Sequence, residues 1–296
     1  MPLAMMLAPQ AKDLGGGLKV RHLLPAAQRQ AVGPFVFLDH FGPVQASPAH
    51  DVRPHPHVGL ATLTYLFEGA MVHRDSLGVV QRIEPGAVNW MTAGRGIVHS
   101  ERHPALTPGQ VQLNQGLQMW LALPRSHEET EPGFAHTPAA QLPVLHQGGA
   151  TLRVLVGQAL GEPSPVATFS HTLCLDIELA AGAELDLPPL AEEQAIYTAG
   201  GPLDIDGQAV PAHTLALLSP GPVRLRATQA ARCMLVGGEP LDAPRHLWWN
   251  FVSSRRERIV QAAQDWRDGR FASVPGEAEF IPLPERSPLP AQDSPL

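Results

Sequence analysis

Cysteine is scarce. The chain has two, Cys174 and Cys233, in 296 residues. Two cannot build a disulfide framework, and neither sits in a CxxC pair, so a reduced, cytoplasmic setting is expected. Basic residues are also few: Lys+Arg 21 against Asp+Glu 28 gives a net charge of −7, with no Lys/Arg-rich run. An electrostatic grip on phosphates is therefore absent, and no direct nucleic-acid binding is expected. The apolar stretch from Met1 to Pro9 is too short to span a bilayer and lacks a basic n-region, so neither a membrane anchor nor a well-formed signal peptide is expected.

Proline and glycine are plentiful, at 31 and 27 residues. Both break helix interiors, which excludes a helical bundle. The length suggests about two domains and allows a sizeable core without staples. Short apolar or alternating runs, such as Phe35 to Leu38, Leu60 to Phe67, Val79 to Ile83, Gln112 to Leu123 and His171 to Leu179, are separated by turn residues. They predict a mostly β protein of sandwiches or barrels. One helix is predicted: Ser254 and Glu257 form a capping box ahead of Ile259, Ala262, Ala263 and Trp266, and Gly269 closes it. A faint repeat relates Tyr65-Leu66-Phe67-Glu68-Gly69 to Ile196-Tyr197-Thr198-Ala199-Gly200, which suggests two similar halves. The boundary is placed at Gly148-Gly149, giving domains 1–147 and 148–296. The Pro- and Ser-rich tail from Pro282 to Leu296 is expected to pack poorly.

His55-Pro56-His57 is the first chemical motif. The prolines favour extended backbone, and in a strand residues i and i+2 share a face, so both imidazoles point the same way. That face continues through Gly59, Ala61, Leu63, Tyr65 and Phe67 as an expected inner wall. After a glycine-rich turn, His99 and Glu101 form a second i, i+2 pair. Two strands offering such pairs can converge on one ion. Three imidazoles and one carboxylate suit a divalent first-row metal and leave two octahedral positions open. The competing reading is a buried His–Glu hydrogen bond without metal.

The motifs Pro54-His55-Pro56-His57-Val58-Gly59, Thr64-Tyr65-Leu66-Phe67-Glu68-Gly69, His73-Arg74-Asp75-Ser76-Leu77-Gly78 and Thr92-Ala93-Gly94-Arg95-Gly96-Ile97-Val98-His99-Ser100-Glu101 resemble the pirin family. Phe37-Leu38-Asp39-His40-Phe41-Gly42-Pro43 and the C-terminal Trp249-Asn250-Phe251-Val252-Ser253-Ser254 are similar as well. The resemblance implies an all-β bicupin: two antiparallel jelly-roll (cupin) barrels with a short C-terminal helix. It implies an Fe(II)-type site in the first barrel only, with His55, His57, His99 and Glu101 as ligands. It further implies a quercetinase-type dioxygenase that opens a flavonol heterocycle with O2 and releases carbon monoxide, Glu101 serving as base. Leu63, Tyr65, Phe67 and Met91 are the candidate walls for a small aromatic substrate. The alternative is a metal-loaded, redox-responsive regulator that binds a protein partner. Where pirins usually carry Phe-Glu-Thr, this chain has Leu60-Ala61-Thr62. With Ala61 on the histidine face, Glu101 is the sole candidate carboxylate and the pocket loses an acid. In the second half His171 and His213 are isolated, so that barrel reads as structural. His73, Arg74 and Asp75 read as a turn with a structural ion pair or hydrogen bond.

Overall fold

Alternating apolar positions with Gly/Pro punctuation leave the backbone little choice but short antiparallel strands. The structure is a computed structural model, and it describes residues 3–14, 17–105 and 109–285. Contacts divide it into two compact units, one drawn from Met1–Lys12, Arg21–His40 and Thr137–Pro240, the other from Asp13–Val20, Phe41–His136 and Leu241–Leu296.

In the first unit, a seven-stranded sheet runs in the order Leu3–Leu7, Leu215–Leu218, Glu193–Gly200, Ala231–Gly238, Thr172–Leu179, Ala150–Val156 and Val144–Gln147. A four-stranded sheet has the order Glu184–Leu187, Val223–Arg226, Leu203–Ile205 and Gln208–Val210. Alternate residues such as Leu173, Leu175 and Ile177 meet Leu185, Ile205 and Leu225 in one apolar core. Cys174 and Cys233 are buried free thiols, and burial pushes both well above the ordinary thiol pKa.

In the second unit, a four-stranded sheet has the order Val52–His57, Ile97–Arg102, Met71–Asp75 and Val80–Ile83. Strand Leu60–Glu68 lies between Val88–Thr92 and Leu113–Ala122 in a second sheet. The sheets meet through Leu66, which packs with Met71 and Ile83.

A single boundary between 147 and 148 does not describe these units, because each takes strands from distant parts of the chain. Leu7 pairs with Leu215 and Met6 with Ala216, and Phe251 bridges Val58. Such pairings carry no local sequence mark.

The helix spans Arg256–Arg267 and buries Ile259, Ala262 and Ala263 against Val58 and Phe251, with Trp248, Trp249 and Trp266 packed around them. Its expected capping box does not form. Ser254 instead donates its backbone N–H and its hydroxyl to the Glu128 carboxylate, and Arg255 is the N-cap with no side-chain cap bond. Glu128 is claimed by a buried network: it also accepts from the Ser253 hydroxyl and pairs with the Arg245 guanidinium, which is 1% exposed. Beyond the helix, Gly269 adopts the expected positive φ (67°). The following segment covers the outer face of the strands bearing the histidines. Ile281 donates to the Pro54 carbonyl, and Glu277 is held by Ser100 and Arg102. The expected poorly packed tail begins within these described residues at Pro282, and its part from 286 to 296 lies outside them.

Candidate metal centre

His99 lies directly opposite His55 in the pairing of Ile97–Arg102 with Val52–His57, and Ile97 lies opposite His57. The i, i+2 pattern then brings three rings to one face. Among the described residues, His55, His57 and His99 form one group whose ligand atoms all lie within 4.8 Å of one another. All three are buried. The Glu101 carboxylate is outside that group. Between His99 and Glu101 the pairing slips, so Glu101 faces Val52 rather than Arg53 and is carried one residue further along.

Backbone carbonyls fix two of the rings. His55 Nδ1 donates to the Arg53 carbonyl at 2.8 Å, and His57 Nδ1 donates to the Asn250 carbonyl at 3.1 Å. A carbonyl only accepts, so each Nδ1 carries the proton and each Nε2 presents its lone pair. His57 Nε2 lies 3.1 Å from His99 Nε2. Two nitrogens each about 2.1 Å from a shared ion and at right angles would stand about 3.0 Å apart, so the residues fit a divalent metal.

Electrostatics agree. Burial brings His55 down to about 4 and, with neighbouring imidazoles, holds His57 and His99 well below the ordinary imidazole range. The rings are thus neutral at pH 7, the state a metal requires. Burial pushes Glu101 up to about 7.

These shifts set the acid response of the metal-free protein. Imidazoles that protonate near 6.5 when unfolded but near 4 when folded, as His55 does, bind fewer protons in the native state. Their contribution is whole above pH 6.5 and is lost as the pH falls toward 4. His40, brought to about 3 chiefly by burial and bonded to the Tyr197 hydroxyl at 2.6 Å, acts in the same sense. Glu101 acts oppositely: it holds a proton between 4.5 and about 7 that the unfolded chain releases. His136 and His213 are lowered by burial as well, and Asp39 is raised by it like Glu101. Six lowered imidazoles outweigh these two carboxyls, so the urea midpoint of metal-free protein is expected to be lower at pH 5 than at pH 7. A higher midpoint at pH 5 would contradict this balance.

The wall around the rings differs from the expected one. Residues directly opposite on antiparallel strands share a face. Thr62 lies opposite both Met91 and Trp120, and the Trp120 ring contacts His57 edge-on at 5.1 Å. The even-numbered residues of Leu60–Glu68 therefore face the imidazoles, as the packing of Leu66 on Met71 also requires. Of the four candidate wall residues, Met91 is on this inner face. Leu63 lies opposite Trp90 and Met119, Tyr65 opposite Leu117, and Phe67 against Tyr65, all on the other face. Ala61 shares that face too, so its lost carboxyl does not thin the inner wall.

The cause is Gly59. Its φ of 69° turns the chain between the two sheets and resets the alternation. A Cβ there would stand 1.9 Å from the Val252 carbonyl oxygen, so only glycine fits. Further along the inner face, Thr64 donates to Gln118 at 2.7 Å, and His136 pairs with Asn89 at 2.7 Å. On the opposite side of the histidine-bearing strands, Pro54 and Val98 join Trp266, Phe271 and Phe280 around a separate cavity of about 490 Å³.

The ion pair or hydrogen bond expected at the turn is present between His73 and Asp75, but their place beside His99 was not foreseen from the sequence. Strand Met71–Asp75 places Asp75 opposite His99 and His73 opposite Glu101. His73 Nδ1 lies 3.3 Å from His99 Nδ1, and its Nε2 lies 2.9 Å from the Asp75 carboxylate. The expected turn is present, with Leu77 and Val79 N–H groups donating to the same carboxylate. Spacing on one strand gave no hint that the ring reaches a neighbour's ligand.

Two antiparallel barrels in one chain, one of them enclosing three converging imidazoles, define a bicupin with a candidate metal centre. The chain belongs to the pirin family: the Pirin model matches residues 17–121 and the Pirin C-terminal cupin domain matches residues 174–272. It is 45% identical over 282 residues to a pirin-like protein of Caulobacter vibrioides, covering 93% of this chain and 96% of that one. The crystal structure of a quercetin 2,3-dioxygenase from Acinetobacter baumannii superposes with a TM-score of 0.90 at 32% identity, over 98% of this chain and 97% of that one. A second quercetin 2,3-dioxygenase structure from the same organism gives 0.84 at 27% identity, over 92% and 98%. No helix among the described residues is long and apolar enough to cross a membrane.

Proposed function

We propose that the chain is a metal-dependent dioxygenase of the quercetinase type, which opens a flavonol heterocycle with O2 and releases carbon monoxide. The observation that carries this reading is the meeting of three buried, neutral imidazoles inside a barrel of a pirin-family chain. His55, His57 and His99 are the ligands in this proposal, Glu101 is the carboxylate, and Fe(II) is the ion. Such an ion acidifies a coordinated hydroxyl and stabilises the resulting oxyanion.

The chain's own residues supply the rest. Glu101, buried on the same face, takes the proton of the flavonol 3-hydroxyl; its raised pKa of about 7 suits a base working near neutrality. Met91, Thr62 and Trp120 form the wall beside the rings, and their burial keeps bulk water from the reacting centre.

The test mixes iron-loaded protein with quercetin in air and follows flavonol absorbance together with carbon monoxide release. Both are expected to change in step. Glu101→Gln is expected to keep metal and lower kcat by about 10²–10⁴-fold, the usual loss when a positioned base is removed. Absence of turnover with iron, manganese, nickel, cobalt or copper would set this reading aside in favour of the metal-loaded regulator.

A further inference from the structure

The tautomers of His55 and His57 are set by backbone carbonyls. His99 has no such carbonyl; its Nδ1 faces another imidazole, His73. We propose that His73 and Asp75 are positioning residues that fix the proton of His99 on Nδ1 and so turn its Nε2 lone pair toward His55 and His57. The proposal rests on the metal-centre reading above and adds residues that the ligand set does not contain.

The hydrogen bonds run from the turn inward. Leu77 and Val79 N–H groups donate to Asp75 Oδ1 at 2.9 and 3.1 Å. Oδ2 is left to accept from His73 Nε2–H at 2.9 Å. A neutral imidazole carries one proton, so His73 Nδ1 is then an acceptor. The 3.3 Å contact to His99 Nδ1 is a hydrogen bond only if His99 donates from that atom. The contact from His99 Nε2 to the bare His57 Nε2, at 3.1 Å, competes for the same proton. His73 is backed by a carboxylate and His57 only by a backbone carbonyl, so His73 is the stronger acceptor and His99 Nε2 is left bare. Phe134 stacks on His73 at 4.2 Å with an interplanar angle of 18°, which restrains the ring between His99 and Asp75. His73 and Asp75 are 3% and 0% exposed, so water cannot replace either bond. A carboxylate behind a ligating histidine commonly fixes its tautomer; here a second imidazole is inserted between them.

The test reads protonation directly and does not depend on turnover. In metal-free protein, 15N–1H correlation spectra of the imidazoles are expected to show His99 as the Nδ1–H tautomer. Asp75→Asn keeps the shape but turns a donor toward His73 Nε2. That forces His73 to carry its proton on Nδ1, and His99 is expected to switch to Nε2–H. Cobalt(II) affinity, measured by titration of its visible spectrum, is expected to fall about 10–100-fold in this variant. His73→Gln, whose carbonyl can accept from His99 and whose amide can donate to Asp75, is expected to stay within about threefold of the parent, whereas His73→Phe falls with Asp75→Asn.

An Nε2–H tautomer of His99 in the unaltered protein would overturn the proposal. So would an Asp75→Asn or His73→Phe protein that binds cobalt(II) as the parent does. Should Asp75→Asn not fold, the parent spectrum and the two His73 variants still decide. If the parent protein itself binds no cobalt(II), the metal reading fails while the His99 tautomer still tests the relay.

Discussion

Replacing His57 by alanine is expected to abolish stable metal loading. The ring supplies one of three converging nitrogens, held by the Asn250 carbonyl and the edge of Trp120. Its loss leaves His55 and His99 as the only members of the cluster. Changes behind a ligand cost about 10–100-fold in affinity, so deleting the ligand itself is expected to cost more than about 100-fold. His99→Ala is expected to behave alike. His103 makes a useful control: it lies two residues beyond Glu101, but its Nδ1 bonds Asp51 at 2.8 Å and it stands apart from the cluster. Metal content after loading and dialysis, normalised to protein, is the measurement. Full occupancy in both His57→Ala and His99→Ala, at the level of His103→Ala, would defeat the ligand assignment.

The largest stability effect is expected at Arg245. Its guanidinium is 1% exposed and meets Glu128, Asp242 and the carbonyls of Leu123 and Ala243. Arg245→Met removes the cation but leaves the Glu128 carboxylate buried with only Ser253 and Ser254 as donors. Breaking a buried pair from one side typically costs about 3–5 kcal/mol, because the remaining charge is uncompensated. Urea unfolding is expected to show a loss of that order. Adding Glu128→Gln to Arg245→Met is expected to recover part of it, since the stranded charge is gone. A loss below about 1 kcal/mol in the single variant would mean that the network is solvated rather than buried.

The histidine cluster could be read in the sequence because the strand period is short and local. His55 and His57 share a face whatever the rest of the chain does, and so do His99 and Glu101. Their convergence followed from the expectation that the two strands line one barrel. What spacing could not give is register. The slip between His99 and Glu101 is a property of the pairing with Val52–His57, and no residue spacing announces it. The wall residues failed for a related reason. Alternation carried from His57 to Phe67 assumes one continuous strand, whereas Gly59 turns the chain from one sheet to the other. Glycine at that position was visible; its left-handed backbone was not. Ser254 and Glu257 had the spacing of a capping box, but a buried carboxylate elsewhere in the chain, Glu128, competed for the same serine and won. The bicupin architecture itself was legible from strand density and the family motifs. The interleaving of the units was not, because it depends on pairings such as Leu7 with Leu215.

The bond from His57 to the Asn250 carbonyl has a consequence for synthesis. A chain emerging from the ribosome exposes His55, His57 and His99 long before residue 250 is made, yet the atom that orients His57 belongs to that late segment. The nascent N-terminal half therefore carries the donor atoms without their final aim. On the metal reading, selective capture of an ion is therefore expected only after the segment carrying Asn250 has been made.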